Sequence, residues 1–151
     1  MIKPGETAPD FTLSDQDGVP FTLSAELAHG PLVLFFYPKA ETHVCTLEAC
    51  SFRDHYEAFM SAEATVIGIS HDPVETQRRF AQRYQLPFRL LSDPDGTAAR
   101  AFGLTKWLGL LNDRVTFVID RTGIIRAVVQ GRFRSEHHVQ EALENLRQRK
   151  V

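Results

Sequence analysis

Long apolar runs and long stretches of one charge sign are both missing from this 151-residue sequence. No apolar run approaches the ~20 residues needed to cross a bilayer, and the first residues lack the apolar core of a signal peptide. Because the net charge is only −2 and the basic residues are spread along the chain, nucleic-acid binding is disfavoured. We therefore expect a cytoplasmic protein without a membrane or nucleic-acid partner, folded as a single domain over residues 1–151.

Cysteine is scarce too, and the two that are present, Cys45 and Cys50, lie close together. In a compartment that keeps thiols reduced, such cysteines are more often free, catalytic or metal-binding than paired in a structural disulfide. The spacing of His43, Cys45 and His55 matches no usual zinc site, so we expect no metal. The two cysteines are therefore the first place to look for chemistry.

Runs of strand character alternate with helical periodicity along the chain. The predicted strands are Asp10–Leu13, Pro20–Leu23, Leu32–Tyr37, Ala64–Ile69, Phe88–Leu91, Asp113–Asp120 and Ile124–Val129. The predicted helices are Thr42–Met60, Val74–Tyr84, Thr97–Phe102 and a terminal helix that is capped by Ser135 and begins with a solvated His137-His138 pair. The first two strands form an N-terminal hairpin, and the alternation predicts an α/β fold with a mixed central sheet flanked by helices on both faces.

The first long helix carries Leu47, Phe52, Tyr56 and Phe59 at helical spacing, which predicts that this face packs on the sheet.

Cys45 lies where the buried strand Leu32–Tyr37 gives way to this helix. The unpaired N–H groups and the dipole of a helix N-terminus favour a thiolate over a thiol. Thr42 is placed to cap the helix, its hydroxyl accepting from the Cys45 N–H or contacting the sulfur or a bound substrate oxygen. Pro38 ends the strand and shields one side of the thiolate from water. The pattern predicts a nucleophile, although buried cysteines also serve as small apolar fillers.

Cys45 and Cys50 are five residues apart, which on a helix separates their Cα atoms by about 8 to 9 Å. A disulfide closes only when the Cα atoms are within ~7 Å. If the two cysteines bond, the first turns of the helix must unwind.

The segment Pro38–Cys45 resembles the Pro-x-x-x-Thr-x-x-Cys signature of peroxiredoxins of the AhpC/TSA type. The continuation to Cys50 is similar to the bacterioferritin-comigratory, or Q-type, group, in which a resolving cysteine follows the peroxidatic one by five residues. The likeness extends through Gly5–Leu13, Val66–Ser70, Leu91–Pro94 and Arg114–Asp120. It implies a thioredoxin-like fold with peroxiredoxin additions.

By this resemblance, Cys45 is the peroxidatic nucleophile, Thr42 orients the peroxide, Pro38 shields the site and Arg114 stabilises the thiolate. Glu48 also matches the family pattern, and with Thr42 and Arg114 it makes up the substrate-binding set. From the residues alone, an arginine at a strand start is more often solvated. An acid in the position of Glu48 serves equally well to complement the helix dipole.

The implied reaction is attack of the Cys45 thiolate on hydrogen peroxide or an organic hydroperoxide, which gives a sulfenic acid and water or an alcohol. Cys50 then condenses with the sulfenic acid, and thioredoxin or a similar dithiol reduces the disulfide. No flavin, haem or other cofactor is required. Two alternatives stay open: a thioredoxin-like disulfide reductase, weakened by the lack of Cys-x-x-Cys, and a non-enzymatic peroxide sensor.

Two features depart from the expected pattern. His43-Val44 stands where the Q-type group usually has Pro-Gly, which alters the backbone freedom and the charge beside the sulfur. The connector Gly103–Leu111 is unusually apolar, so it packs on its own domain, lines the peroxide pocket or forms a weak dimer contact. We expect a monomer or a weak homodimer.

Overall fold

One mixed sheet runs through the part of the chain that the computed structural model describes, residues 1–40, 42–104, 114–131 and 135–149, with the backbone alone at 43–44, 135–136 and 148–149. Its strands in chain order are β1 (Thr12–Asp15), β2 (Pro20–Thr22), β3 (Leu32–Phe36), β4 (Thr65–Ser70), β5 (Arg89–Ser92), β6 (Val115–Ile119) and β7 (Ile125–Gln130). The helices are α1 (Leu23–Leu27), α2 (His43–Asp54), α3 (Tyr56–Ser61), α4 (Val74–Arg83), α5 (Thr97–Ala101) and α6 (Ser135–Arg149).

The strands lie in the order β2-β1-β5-β4-β3-β6-β7. Strand β4 pairs in parallel with both β3 and β5, whereas β6 and β7 continue the sheet in antiparallel fashion beyond β3. The β1–β2 hairpin pairs antiparallel with the free side of β5. This arrangement confirms the predicted α/β fold, its mixed sheet and its N-terminal hairpin.

The central strand β3 is buried on both sides, as its continuous apolar sequence predicts. Val33 and Phe35 face the layer that contains α2, α4 and α6, and the alternate residues Leu32, Leu34 and Phe36 face the layer that contains α1 and α5. Helices therefore cover both faces of the sheet. Among the described residues, no helix is both long and apolar enough to cross a bilayer.

The long helix predicted over Thr42–Met60 is two helices. Helix α2 ends at Asp54, and α3 begins after His55, whose φ of −104° and ψ of 13° interrupt the helical backbone. The His55 ring contacts the carbonyl oxygen of Ser51 through Nδ1 at 2.9 Å, one turn earlier. Since Phe52 and Phe59 are both buried across the break, apolar spacing alone does not reveal it.

The predicted sheet-facing stripe of this helix is wrong at one position. Leu47 is 48% exposed, although Phe52, five residues further along, is fully buried. The residues of α2 that face the core are instead Cys45, Glu48, Ala49 and Phe52, which follow one another at spacings of three, one and three. The core-facing position is therefore that of Glu48, an acidic residue, and not that of the neighbouring Leu47.

Candidate active site

The loop after β3 delivers Cys45 to the first turn of α2. Strand β3 ends at Phe36, Pro38 is half buried in the following loop, and the helix begins at His43 with Thr42 as its N-cap residue. Cys45 is the third residue of the helix and is only 1% exposed. The thiol therefore lies at a helix N-terminus, as the sequence predicts, but inside the protein.

Arg114 joins the cysteine to an acidic side chain. Its Nη2 donates to the Cys45 sulfur at 3.2 Å, and its Nη1 donates to Glu48 Oε1, also at 3.2 Å. Arg114 precedes β6 and is only 4% exposed, so it is not the solvated surface residue that its position at a strand start favours. The two prongs of one guanidinium thus hold two residues of α2 that are one helical turn apart.

Glu48 is a buried carboxyl rather than a solvated acid in the first turn. Its side chain is fully buried, and desolvation raises its pKa to about 7 even though the charge of Arg114 and the hydrogen bond from it act in the opposite direction. Within the described part of the chain, Glu48 Oε2 has no hydrogen-bond partner. The carboxyl is therefore poised between its neutral and charged forms near neutral pH.

His138 contradicts the prediction of a solvated His137-His138 pair. His137 is exposed, but the His138 ring is fully buried beneath α2. Its Nδ1 lies 2.7 Å from Thr116 Oγ1 and 3.6 Å from Glu48 Oε2, and its Nε2 lies 3.1 Å from the carbonyl oxygen of Gly131. Burial lowers its pKa to about 4. Val139 is also buried, and it is spaced helically with the buried Leu143 and Leu146. This spacing was the sequence signal that this side of α6 faces the core.

Thr42 and Pro38 lie in the loop that leads to the cysteine. Thr42 has the extended backbone of an N-cap residue, which confirms its predicted position. Its hydroxyl, however, donates to the carbonyl oxygen of Lys39 at 2.8 Å and makes no capping hydrogen bond. The prediction that this hydroxyl accepts from the Cys45 N–H is therefore wrong. Because the Thr42 side chain is exposed, it is accessible to a molecule that approaches the loop from solvent.

Asp72, which the sequence analysis did not select, ties this loop to the end of β4. Its Oδ2 accepts from the backbone N–H of Ala40 at 2.7 Å and from the Ser70 hydroxyl at 2.6 Å. The Ser92 hydroxyl, at the end of β5, donates to the Asp72 carbonyl oxygen. The available signal was a polar Ser70-His-Asp72 run directly after a buried strand, next to the strand that leads to Cys45.

Cys50 lies on the same helix, two residues after Glu48. It is half buried, and burial raises the pKa of its thiol, with the nearby Arg53 opposing and Asp54 adding to the shift. Both cysteines are free thiols. With both residues inside the continuous helix α2, their Cα atoms are about 8 to 9 Å apart, too far for a disulfide without a change in the backbone.

The arrangement suits an anionic sulfur nucleophile. A guanidinium on a buried thiol stabilises the thiolate, and the helix N-terminus adds a favourable dipole. A family model described as the AhpC/TSA family matches residues 4–128. The curated peroxiredoxin Q, a chloroplastic protein of Sedum lineare, is 43% identical over 146 residues, which cover 96% of this chain and 78% of that protein. The chain belongs to the AhpC/TSA family, in its peroxiredoxin Q group.

Solved structures agree with this assignment of the peroxiredoxin. Peroxidoxin BcpB from Mycobacterium tuberculosis is 42% identical, with a TM-score of 0.91 over 100% of both chains. A Xanthomonas campestris bacterioferritin comigratory protein with alkyl peroxide reduction activity is 28% identical, with a TM-score of 0.83 over 93% of this chain and 92% of that one. The fold is thioredoxin-like, and the protein is a thiol-dependent peroxidase.

Two features of the peroxiredoxin sequence fall outside the described residues. The backbone of His43 and Val44 forms the start of α2, but their side chains are not among the described parts of the structure. The effect of His43-Val44 in place of Pro-Gly on the surroundings of the Cys45 sulfur therefore stays a prediction. Gly103 and the buried Leu104 follow α5, and the rest of the apolar connector, 105–111, is also outside it.

Proposed function

We propose that Cys45 is the peroxidatic nucleophile of this thiol-dependent peroxidase. The observation that carries the proposal is the 3.2 Å contact between Arg114 Nη2 and the Cys45 sulfur, in a site where the two residues are 4% and 1% exposed. The attraction between a guanidinium and a thiolate is stronger in a low-dielectric interior than in water. The thiolate attacks one oxygen of the peroxide, the O–O bond breaks, and the sulfur becomes a sulfenic acid.

Thr42, Arg114 and Glu48 form the proposed substrate-binding set. Arg114 is the donor that stabilises negative charge as the O–O bond lengthens, since it already lies at the sulfur. Thr42 presents an exposed hydroxyl at the entrance to the helix, where it can turn from the Lys39 carbonyl to a peroxide oxygen. Glu48 holds the second prong of the guanidinium and so fixes its plane. Pro38, half buried in the same loop, limits the access of water.

Cys50 is the proposed resolving residue. The neutral thiol of Cys50, whose pKa is raised by burial, remains unreactive until the helix opens. Local unwinding of α2 brings it to the Cys45 sulfenic acid, and the two condense to a disulfide with loss of water. A dithiol protein such as thioredoxin then reduces the disulfide by thiol exchange.

The proposed substrates are hydrogen peroxide and organic hydroperoxides. The alkyl peroxide reduction activity of the Xanthomonas campestris relative supports the second class. We place the reaction in a compartment that keeps thiols reduced, the cytoplasm in our proposal, because each cycle consumes a reduced dithiol. Cell fractionation tests the compartment. Sedimentation of the reduced protein over a dilution series tests the proposed monomer or weak homodimer.

Two cysteine variants test the assignment of the nucleophile and the resolving residue. Cys45→Ser should lose peroxide consumption entirely. Cys50→Ser should oxidise once, to a sulfenic acid detected by mass spectrometry, but should not be recycled by thioredoxin. Peroxide consumption that survives in Cys45→Ser would contradict the proposal. Fast oxidation of the unaltered protein without dithiol-dependent turnover would instead favour the alternative function of a non-enzymatic peroxide sensor.

A further inference from the structure

Three buried side chains, Arg114, Glu48 and His138, connect Cys45 to the terminal helix α6. Arg114 lies between Cys45 and Glu48 Oε1, as described above, and Glu48 Oε2 lies 3.6 Å from His138 Nδ1. Glu48 and His138 are both fully buried. The proposed function gives roles to Cys45, Arg114 and Glu48, but it gives none to the imidazole of His138.

The hydrogen bonds of His138 define which ring nitrogen carries the proton. The carbonyl oxygen of Gly131, 3.1 Å from Nε2, can only accept, so Nε2 must donate. A neutral ring then has a lone pair on Nδ1, and this lone pair accepts the hydroxyl proton of Thr116 at 2.7 Å. The same lone pair faces Glu48 Oε2. It repels a carboxylate oxygen but can accept a hydrogen bond from a protonated carboxyl group.

Charge balance favours the protonated carboxyl group. A Cys45 thiolate and a Glu48 carboxylate would place two negative charges against one guanidinium in a site that excludes water. With Glu48 neutral, the charges of Arg114 and the thiolate cancel. Burial has opposite effects on the pKa of the two partners, raising that of Glu48 to about 7 and lowering that of His138 to about 4. Of the two residues, the carboxyl group is therefore the one that holds a proton more readily.

We propose that His138 is a positioning residue of the peroxidatic site: the lone pair on its Nδ1 faces Glu48 Oε2 at 3.6 Å and disfavours the carboxylate, so that Glu48 stays neutral and the full charge of Arg114 serves the Cys45 thiolate. This inference rests on the proposed role of Cys45 as the nucleophile. It assigns to α6 a part in the protonation of the site.

The titratable or charged groups that face the Glu48–His138 pair come from three elements. They are Cys45 from α2, Arg114 from the segment before β6, and His137 from α6. Thr116 is the polar neighbour that competes with Glu48 for the same Nδ1 lone pair. Removing this competitor should therefore strengthen the contact between the carboxyl group and the imidazole.

Thr116 provides a nearly isosteric test in the Cys50→Ser protein, where Cys45 is the remaining thiol. Thr116→Val should raise the pKa of Glu48, read from the carboxyl carbon-13 signal, by about half a pH unit or more, roughly the effect of one hydrogen bond. Because Glu48 then stays neutral to higher pH, iodoacetamide should reach half its maximal rate with Cys45 at a lower pH. Thr116→Ser keeps the hydroxyl. It should leave both midpoints unchanged, namely the pKa of Glu48 and the pH at which iodoacetamide reacts with Cys45 at half its maximal rate.

His138→Phe determines whether this effect passes through the imidazole. In that background Thr116→Val should no longer shift either midpoint. The proposal is overturned if Thr116→Val shifts neither midpoint in the protein that retains His138, or if the same shifts persist without the imidazole.

A measurement on the Cys50→Ser protein itself does not depend on the folding of further variants. Nitrogen-15 spectra should show His138 neutral at pH 7 with the proton on Nε2, and a protonated Nδ1 would overturn the inference. Hydrogen peroxide oxidation of Cys45 in the same protein separates this outcome from failure of the proposed function. Rapid oxidation without the Thr116→Val shifts rejects the role of His138 alone, whereas absence of oxidation rejects the role of Cys45.

Discussion

Arg114 contacts two acceptors with two different nitrogens, and this geometry requires a planar guanidinium. A lysine ammonium is a single point of charge and cannot hold Cys45 and Glu48 in the same way. Arg114→Lys should therefore slow the oxidation of Cys45 by peroxide by a factor of about 100 or more, the range seen when a preorganised donor is removed from a developing charge. Quenched-flow mass spectrometry of the Cys50→Ser protein, with and without the change, measures this factor.

Stability separates a local effect of this substitution from a general one. Lysine keeps a positive charge near Glu48, so Arg114→Lys should lose less stability than Arg114→Leu, which leaves a buried carboxyl without a partner. Urea unfolding of the two variants makes the comparison. Equal loss of stability in both, with oxidation as fast as in the parent, would mean that Arg114 serves only the fold.

At the scale of elements, helix α2 contains both cysteines and the buried Glu48. Formation of the Cys45–Cys50 disulfide should unwind its first half, while the second half stays in place through Phe52, which stacks on Phe35 of β3 at 4.6 Å. Hydrogen exchange should therefore become faster at residues 46–50 in the oxidised protein and remain slow in β3. The Cys50→Ser protein treated with one equivalent of peroxide is the matched control, because it forms no disulfide. Unchanged exchange in the oxidised protein would contradict resolution by Cys50.

Strand β4 supports α2 through a glycine. A Cβ atom at Gly68 would lie 2.8 Å from Cζ of Phe35 and 2.9 Å from Cδ2 of Leu90. Gly68→Ala should displace the Phe35 ring against Phe52 and lower the free energy of unfolding by about 1 to 3 kcal/mol, as overpacking does elsewhere. Urea denaturation measures the loss. Phe35→Leu removes the obstructing ring atom. The double variant should therefore lose less stability than the sum of the losses of the two single variants.

Local sequence reveals some elements of this fold and leaves others hidden. The apolar strands and the hairpin were predictable because burial on both faces leaves continuous apolar runs. The break at His55 was not, since the apolar residues continue on both sides of it. Cys45, Thr42 and Pro38 were found from a local motif. The partners of Glu48 were not, because His138 comes from the far end of the chain and only the folded sheet brings it under α2.

At the scale of the whole molecule, Glu48 and His138 act on stability in opposite directions. The pKa of Glu48 rises on folding from 4.5 to about 7, so the native state binds more protons in that interval and stability falls as pH rises through it. The pKa of His138 falls from 6.5 to about 4, so the unfolded state binds more protons and stability rises with pH. The two contributions largely cancel in the unaltered protein.

Single substitutions should expose each contribution. In Glu48→Gln the His138 contribution remains, so the stability of this variant should rise between about pH 4 and 6.5. In His138→Phe the Glu48 contribution remains, so the stability of that variant should fall between about pH 4.5 and 7. Each change is on the order of 3 kcal/mol. Urea unfolding of the reduced proteins at a series of pH values gives the differences. Parallel curves for all three proteins would show that neither group changes its protonation on folding.

The position of Glu48 between the two cysteines also has an electrochemical consequence. Forming the disulfide transfers this carboxyl group from a buried site, where its pKa is about 7, to solvent, where 4.5 is its ordinary value. Between these values oxidation releases one proton more than the thiols alone release, so the midpoint potential should fall more steeply with pH than that of the same dithiol without Glu48. Redox titration against dithiothreitol at several pH values tests this slope, and an ordinary slope would mean that Glu48 keeps its environment. Between about pH 4.5 and 7, such a peroxidase becomes a stronger reductant for peroxide as the pH rises, by more than its cysteines alone would give.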